Sequence, residues 1–473
     1  GYYRRTKEAI IEMVHYISNE VLLLEQLDTI INTDVKLKLS EEAVLNIEKC
    51  HTFFTEKVKD TSLSEATEQH YTQLRHYACG IGERLPCKLV RIMLFLKVQS
   101  FSYGFSGVRL ALVQRLIDFF NNGVYPVVYS KDIPDERIAL AHLSLPLIGE
   151  GEVCIQNKIY SAQELASKFG WEPLPLSQRE VDALLNGTQL TTAYSAHNLI
   201  ESLKLIEWAD FVASVSTQVF GGNLSAFSEL MQVVRPHKGL IETAQHLHTL
   251  LKDSTLVDSP EDFQSMPEAF CSIPQIHGAV REAIAAIRKV VKTEINSVTD
   301  NPILFPEQGE IIFGGNSHTL PLSLSMDFLS ITLTSLGNIS ERRVFYLLSN
   351  VGKDIETEID YPIFQRIIEG ILNENRRLST PSSIESPILF EKTIDIKGMG
   401  GSSAIKCSQI VKNVMQIIAI ELILATSLWK KKPLRYHSSI FKDYLDFIAE
   451  EGSSTTLKKN IEQTLQFFNS TQN

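Results

Sequence analysis

Ser403-Ala-Ile-Lys-Cys-Ser-Gln-Ile-Val-Lys-Asn-Val-Met-Gln-Ile-Ile-Ala-Ile-Glu-Leu-Ile-Leu-Ala-Thr-Ser-Leu-Trp-Lys430 decides the fold class. Apolar residues recur through it at spacings of three and four, the period of a helix, over more turns than an ordinary helix has. Its most apolar part, Val414 to Trp429, is interrupted by Gln416 and Glu421 and is shorter than a membrane span requires, so it reads as a buried helix of a soluble protein. The same period marks His277–Val291, Leu322–Leu348 and Phe364–Asn375, and earlier Ala9–Ile31, Ser40–Thr55, Lys88–Phe101, Val108–Phe120 and Leu199–Val215. Long helices that are apolar on most faces must be covered on several sides, which predicts a bundle completed in part by other subunits. Strand signals are few: an alternating stretch at Gly149–Tyr160 suits a short hairpin, and Ile303–Ile312 has room for two short strands. Asn121–Ala139, Ser259–Pro274 and Thr380–Gly401 carry little helical pattern and read as connections.

Composition narrows the function. The chain has 473 residues, 44% hydrophobic and 21% charged, with 45 basic against 56 acidic residues and a net charge of -11. That balance argues against a nucleic-acid surface, which needs clustered Lys and Arg. The one basic run, Lys430 to Lys432, suits the C-terminal end of the preceding helix. Cys50, Cys79, Cys87, Cys154, Cys271 and Cys407 show no CxxC spacing and no neighbouring His pair, which predicts reduced thiols in a cytoplasm and neither a zinc site nor a disulfide framework. The segment Gly1-Tyr-Tyr-Arg-Arg5 is followed by mixed polar residues and gives no signal-peptide pattern.

The most polar loop signal is Asn296-Ser-Val-Thr-Asp-Asn-Pro302, followed by Gly314-Gly-Asn-Ser-His318. Asp-Asn-Pro is a turn, and the Gly pair permits close approach of the backbone. With its neighbours, this loop resembles part of the aromatic amino acid ammonia-lyase family, the histidine, phenylalanine and tyrosine ammonia-lyases. The resemblance runs in register along most of the chain. Tyr103-Gly-Phe-Ser-Gly-Val-Arg109 is similar to the family's G-Y-S-G-V-R. Asn122-Gly-Val-Tyr-Pro126 is similar to its N-x-G-V-x-P, and Ala141-His-Leu-Ser-Leu-Pro-Leu-Ile-Gly-Glu-Gly-Glu152 to its L-A-H-x-A-L-x-L-I-G-E-G-E. Leu185-Asn-Gly-Thr-Gln189 matches L-N-G-T-Q, Pro274-Gln-Ile-His-Gly278 resembles P-Q-V-H-G, and Ile339-Ser-Glu-Arg-Arg343 resembles L-S-E-R-R. The resemblance implies a mainly α fold of the ammonia-lyase/fumarase-like type: a central bundle of long helices with a smaller mixed N-terminal domain, assembled as a homotetramer. We expect an N-terminal, loop-bearing domain over 1–180, its altered cofactor-loop region at 121–142, and a helical bundle over 181–473.

The family's chemistry needs an electron sink, a methylidene-imidazolone made by cyclising its own Ala-Ser-Gly. Where the family reads G-S-V-G-A-S-G-D-L-A-P-L-A-H, this chain reads Asp132-Ile-Pro-Asp-Glu-Arg-Ile-Ala-Leu-Ala-His142, about three residues shorter and without glycine between Gly123 and Gly149. The family's basic tyrosine and carboxylate-binding arginine stand in Q-D-x-Y-S-L-R-C. Aligned on Cys271, this chain has Pro267 and Phe270 there, and neither can move a proton or pair with a carboxylate. Aligned on Pro274-Gln275, the positions fall to Glu268 and Cys271. A second family tyrosine, in Y-G-x-N-T-G-F-G, has Glu56–Ser62 in its place. The S-H pair reads His76-Tyr77, and the Q-E pair reads Thr393-Ile394 before Met399-Gly400.

Retained pocket positions are Asn186, Gln264 and Asn316, which the resemblance makes candidate substrate-binding residues, with His318 beside them; a buried amide or imidazole satisfying loop backbone is the competing account of each. No catalytic residue and no metal ligand is assigned, since His142 and His318 have no Cys or acidic partner at metal spacing. The cofactor is expected to be absent. The reading is therefore a lyase-like pseudoenzyme that self-associates, with an active paralogue as a further partner and with neither nucleic acid nor membrane as one. The alternative is an active lyase or aminomutase whose cyclised tripeptide is missing from the sequence as written.

Overall fold

The computed structural model describes residues 13–59, 67–254, 256, 266–351, 362–385, 395–431, 438–452 and 456–470. The chain is mainly helical, and its contacts divide it into two compact units. The first comprises Gly1–His197, Val290–Ser323 and Ser386–Ile405; the second comprises Asn198–Lys289, Leu324–Glu385 and Lys406–Asn473. This division comes later than the expected boundary at 180, and it is discontinuous. The loop after residue 295 joins the first unit through Asp300, which pairs with Arg179, and Leu304, whose N–H donates to Phe105 O; the segment before residue 405 joins it through Lys397, which pairs with Asp135.

The first unit opens with β1 (Val14–Ile17), α1 (Leu24–Asn32) and β2 (Lys36–Leu39), a small βαβ unit in which β1 and β2 pair in parallel from Val14↔Lys36 to Ile17↔Leu39. A single helix was expected from Ala9 to Ile31. Within the described residues the chain instead makes a strand, because β2 offers it a ladder and a Ser18 turn, closed by Glu20 N–H on Ser18 Oγ, separates it from α1. Next come α2 (Glu41–Val58), α3 (Thr67–Tyr77), α4 (Cys87–Ser102) and α5 (Leu110–Asn121). α4 is the core of this unit, buried almost continuously from Leu89 to Ser102. Asn121 fastens the end of α5 to β2, donating to Leu37 O (2.9 Å) and accepting from Leu37 N–H (2.7 Å).

Then follow β3 (Tyr125–Pro126), α6 (Glu136–Ser144), β4 (Glu152–Ile155), β5 (Lys158–Ser161), α7 (Glu164–Phe169) and α8 (Gln178–Leu185), with β3, β4 and β5 forming one antiparallel sheet in that order. The expected hairpin at Gly149–Tyr160 is β4–β5. Its two-residue turn has Gln156 and Asn157 both at positive φ, the geometry that suits the twist of a tight hairpin. α8 starts with a capping box between Ser177 and Glu180.

α9 (Gln189–Phe220) begins in the first unit and ends in the second. α10 (Glu229–Val234), α11 (Lys238–Leu251), α12 (Glu268–Cys271) and α13 (Ile273–Ile295) follow, then β6 (Ile303–Phe305) and β7 (Glu310–Ile312), which are the two expected short strands. α14 (Leu320–Tyr346), α15 (Pro362–Leu378), α16 (Gly400–Lys431), α17 (Ser439–Glu450) and α18 (Leu457–Ser470) complete the chain. The second unit is a helical bundle. α11 and α13 approach so closely that a Cβ on Gly278 would sit 2.5 Å from Leu240 N, which is why Pro274-Gln-Ile-His-Gly278 ends in glycine. Trp208 packs against Phe211, Phe467 and Phe468 at centroid distances of 5.9, 5.5 and 4.6 Å, joining α9 to α18.

The length expectation for the Ser403 helix is corrected. α16 runs 32 residues, and both it and Leu320–Ser349 are long and apolar enough to cross a membrane. Their sequence alone therefore excludes nothing. What marks α16 as core is that 78% of its apolar window is buried within the chain, and that Glu421 in that window is enclosed by hydrogen-bond donors, as described below.

Candidate functional site

The polar loop that opens at Asn296 lies in the first unit and interlocks with the Leu185–Gln189 turn. Thr299 Oγ1 accepts from Thr188 N–H (3.1 Å). Asp300 is buried and pairs with Arg179 at 3.2 Å; Arg179 also donates to Ser106 O (2.7 Å) and Pro302 O (3.3 Å). Asn301 Oδ1 accepts from Gly314 N–H at 3.0 Å, which ties the two halves of the loop together.

The expected pocket residues can now be placed. Asn186 is half-buried, and its Nδ2 donates to Asp182 O (2.9 Å) and Asn301 O (3.0 Å), so both of its amide protons serve the backbone. Asn316 is exposed and donates to Val298 O (2.5 Å). His318 is also exposed, and its Nδ1 accepts from Leu320 N–H (3.2 Å) at the start of α14. Gln264 lies outside the described residues, as do Thr393 and Ile394 and the end of Glu56–Ser62. The turn and the loop bring Asn186 and Asn316 to one backbone framework, as braces of it.

Two ionisable groups that sequence reasoning passed over sit at the same turn. Lys97 is buried on α4 and donates to Asn186 O (2.6 Å) and Gln189 Oε1 (3.2 Å). Burial pushes its ammonium down to about 8, against the opposing pull of Asp300 and Glu136. Gly187 stands at φ 137, and the place of its missing Cβ is taken by the Gln189 amide, which glycine alone permits. A lysine inside an otherwise apolar helical stretch was the one available signal for Lys97.

Glu136, at the start of α6, has no such signal. Its Oε2 accepts from Leu190 N–H (3.0 Å) and its Oε1 from Thr191 N–H (2.9 Å), so its carboxylate closes the N-terminus of α9. The residue is half-buried as a whole, but the carboxylate is its deep end. Burial raises that group to about 7, with the Thr191 and Leu190 bonds pulling the other way. Asp135 Oδ1 caps α6, accepting from Arg137 N–H (2.9 Å) and Ile138 N–H (3.3 Å), while Oδ2 pairs with Lys397 at 2.6 Å. Arg137 donates to Tyr77 OH at 3.0 Å. His142 Nε2 accepts from Gly80 N–H (3.0 Å), and burial lowers the imidazole, which suits the neutral acceptor form.

In the second unit, Phe270 is fully buried and stacks on Phe220 with centroids 4.3 Å apart, with Tyr346 edge-on at 6.4 Å. Pro267 is the residue before α12, and Glu268, the position reached in the other alignment, is exposed. Pro274-Gln-Ile-His-Gly278 and Ile339-Ser-Glu-Arg-Arg343 meet in a buried polar node. His277 Nδ1 is 2.7 Å from Asp210 Oδ1, Arg281 and His246 reach Asp210 Oδ2 at 2.7 and 2.8 Å, and His277 Nε2 is 3.4 Å from Arg343. Arg343 forks onto Glu421 (2.5 and 3.1 Å), which also accepts from Ser216 (2.8 Å) and Ser340 (2.5 Å). Burial alone would raise Asp210, but His246, His277 and Arg281 hold it well below the carboxylate range. Among the described residues no group of three or more His, Cys, Asp or Glu is placed to hold a metal ion.

Three comparisons bear on this architecture. A family model described as aromatic amino acid lyase matches residues 22–439. The chain is 36% identical over 385 residues to a histidine ammonia-lyase of Caldanaerobacter subterraneus, covering 79% of this chain and 75% of that one. It is 35% identical over 374 residues to histidine ammonia-lyase 2 of Fusobacterium nucleatum, covering 76% and 73%. Its fold is similar to the crystal structure of a histidine ammonia-lyase from Trypanosoma cruzi, with a TM-score of 0.88 and 27% identity over 97% of this chain and 94% of that one.

Proposed function

This chain belongs to the aromatic amino acid lyase family, and we propose that it keeps the family scaffold without performing the cofactor-dependent deamination. The observation that carries this reading is the segment Ile133-Pro134-Asp135. In register with Ala141-His142, these residues stand where the family's Ala-Ser-Gly belongs; Pro134 has no N–H, Asp135 caps α6, and Glu136, the next residue, closes α9 with its carboxylate. These residues do not fit a cyclised tripeptide, which needs small side chains and a free amide nitrogen to attack a carbonyl. Phe270 supports the same reading: stacked on Phe220, it offers an aromatic face where an arginine would receive the substrate carboxylate. The purified chain, given histidine, phenylalanine or tyrosine, should produce no absorbance of the corresponding unsaturated acid. Sustained turnover of any of the three ends this reading.

The second reading is an active histidine, phenylalanine or tyrosine lyase or aminomutase whose tripeptide is missing from the sequence as written, and the names of the relatives favour it. An intact mass equal to that of the printed sequence rejects it; an excess of about one modified tripeptide supports it. Either reading includes self-association, as a homotetramer or beside an active paralogue. Supporting this, Leu324, Phe328 and Ile331 form an exposed apolar stripe on α14, at the spacing of one helix face. A monomeric mass in solution would reject the assembly.

A further inference from the structure

The cysteines of this chain are free thiols, and three of them are engaged by groups of other kinds. Cys50 bonds to the Gly107 backbone, Cys407 to Ser330, and Cys271 to Met266 O at 3.5 Å. Cys87 and Cys154 face each other instead, the thiol of one in hydrogen-bonding contact with that of the other. The backbone dictates this meeting. Leu85 N–H donates to Val128 O (2.9 Å), which lays the start of α4 beside the chain that continues from β3, and β3 pairs with β4 so that Cys154 stands opposite Tyr125. Cys154 is buried, whereas Cys87 is half-buried at the first position of α4, so one sulfur of the pair is within reach of a solute. Among the described residues no further His, Cys, Asp or Glu joins the two thiols to hold a metal ion. Burial pushes the Cys87 thiol up to about 11, with Cys154 adding to the rise and Arg84 pulling the other way.

We propose that Cys87 and Cys154 form a reversible disulfide by exchange with a small-molecule disulfide, stapling the start of α4 to β4 in the oxidised chain and leaving them unlinked in the reduced one. The Cys87 thiol first loses its proton. Its thiolate attacks one sulfur of the small disulfide, breaking that S–S bond and releasing one thiolate. The Cys154 thiolate then attacks the Cys87 sulfur of the mixed disulfide and releases the second. Two protein thiols are thereby oxidised to one disulfide, the small disulfide is reduced to two thiols, and the two protons pass to the thiols released. Because the Cys87 thiol is held protonated, the exchange is slow near neutral pH and quickens as pH rises. A link between elements so far apart in sequence restricts the unfolded chain, so the oxidised form is the more stable one. This inference does not depend on whether the chain deaminates amino acids.

The test uses the full chain, reduced and then incubated with oxidised glutathione at about pH 8.5, near the unperturbed thiol value. Free thiols are afterwards alkylated in denaturant, and the chain is weighed intact, mapped by peptides and melted. The expected result is a peptide linking Cys87 to Cys154, with an intact mass lower by about two units for the two hydrogens lost. Both thiols should be lost to alkylation, and the melting temperature should rise and fall back on adding dithiothreitol. C87S and C154A should each abolish the linked peptide and the rise in melting temperature. The proposal is overturned if the exposed Cys79 exchanges while Cys87 and Cys154 stay open to alkylation. It is also overturned if Cys87 stops at a mixed disulfide with glutathione, or if either thiol pairs with a different cysteine. Should C154A not fold, wild type and C87S carry the decision between them, and a melting rise retained in C87S overturns the proposal.

Discussion

The polar node of the second unit and the Glu136 turn of the first bury comparable charge and resolve it differently. At the node every charged group has fixed partners: Glu421 takes bonds from Arg343, Ser216 and Ser340, and Asp210 takes His246, His277 and Arg281. Asp210 is accordingly held ionised well below its ordinary range. At the turn, two groups of opposite sign are both driven toward neutrality, Glu136 up to about 7 and Lys97 down to about 8. The difference lies in what each carboxylate is given. Glu421 and Asp210 receive full charges, whereas Glu136 receives amide dipoles and only a distant cation, too little to offset its desolvation. The first arrangement builds a scaffold; the second leaves a group whose state follows pH.

The comparison predicts its own largest effect. Arg343→Ala strands Glu421 among buried helices and should cost roughly 3–5 kcal/mol, the usual penalty for breaking a buried pair from one side. Replacing both partners, as R343M with E421L, should cost clearly less, because no uncompensated charge remains. Chemical denaturation of the two single variants and the double gives the coupling directly. Additive losses would show that the pair is not the unit of stability at the node.

How much of this was legible beforehand follows the same division. The long helices were, because their apolar spacing is local: α13, α14 and α16 occupy the stretches that periodicity marks, with ends that differ by about a turn or less. The motifs ending in Gly278 and Arg343 were visible as words, but their meeting across α13, α14 and α16 is tertiary, and nothing in either word names Asp210 or Glu421 as its partner. β1 was misread because Ala9–Ile31 has helical spacing, while the strand is fixed by pairing with β2, more than a dozen residues on. At the site, the departure from the Ala-Ser-Gly pattern is legible in the sequence. Glu136's role is not, since a single acid at the start of α6 gives no hint that it caps another helix. Asn186 and Asn316, singled out as pocket residues, stand in the turn and the loop with their side chains on backbone carbonyls.

A pH titration of stability sharpens the contrast. The folded Glu136 carboxyl sits at about 7, above its ordinary 4.5, so its contribution is complete below about 4.5 and is lost as pH rises through 7. Burial alone would lower His246 at the node, but Asp210 and Glu207 leave it raised above 6.5. Its contribution is present below 6.5 and is lost as pH rises past that raised value. The slope of stability against pH is therefore the sum of two contributions that fall as pH rises, from Glu136 and His246, and of those that grow, from His142 and Lys97, which are held below their ordinary values. E136Q should flatten the lower part of that slope, by on the order of 1–3 kcal/mol across the window. H246Q should flatten only the upper part, and by less, because its ring is partly exposed. Denaturation midpoints at closely spaced pH values separate the two; an E136Q slope identical to wild type between pH 4.5 and 7 would remove Glu136 from the account.

The smallest effects should come from the loop residues that the family resemblance singled out. Asn316 and His318 are exposed, and each makes one bond that water can replace, Asn316 to Val298 O and His318 Nδ1 from Leu320 N–H. N316A and H318A should each cost about 1 kcal/mol or less, the ordinary worth of a hydrogen bond or cap at a wet surface. Asn186→Ala should cost more, about 1–2 kcal/mol, because in a partly buried turn Asn301 O loses its side-chain donor and Asp182 O keeps only the Asn186 N–H. That ordering distinguishes braces from pocket residues. Loop groups that await a partner subunit would behave otherwise: N316A or H318A would then lower the concentration-dependent stability of the assembly by more than N186A does. Melting each variant at two protein concentrations decides between the two, and a concentration-dependent loss confined to Asn316 and His318 would move them from the loop's scaffold to the interface.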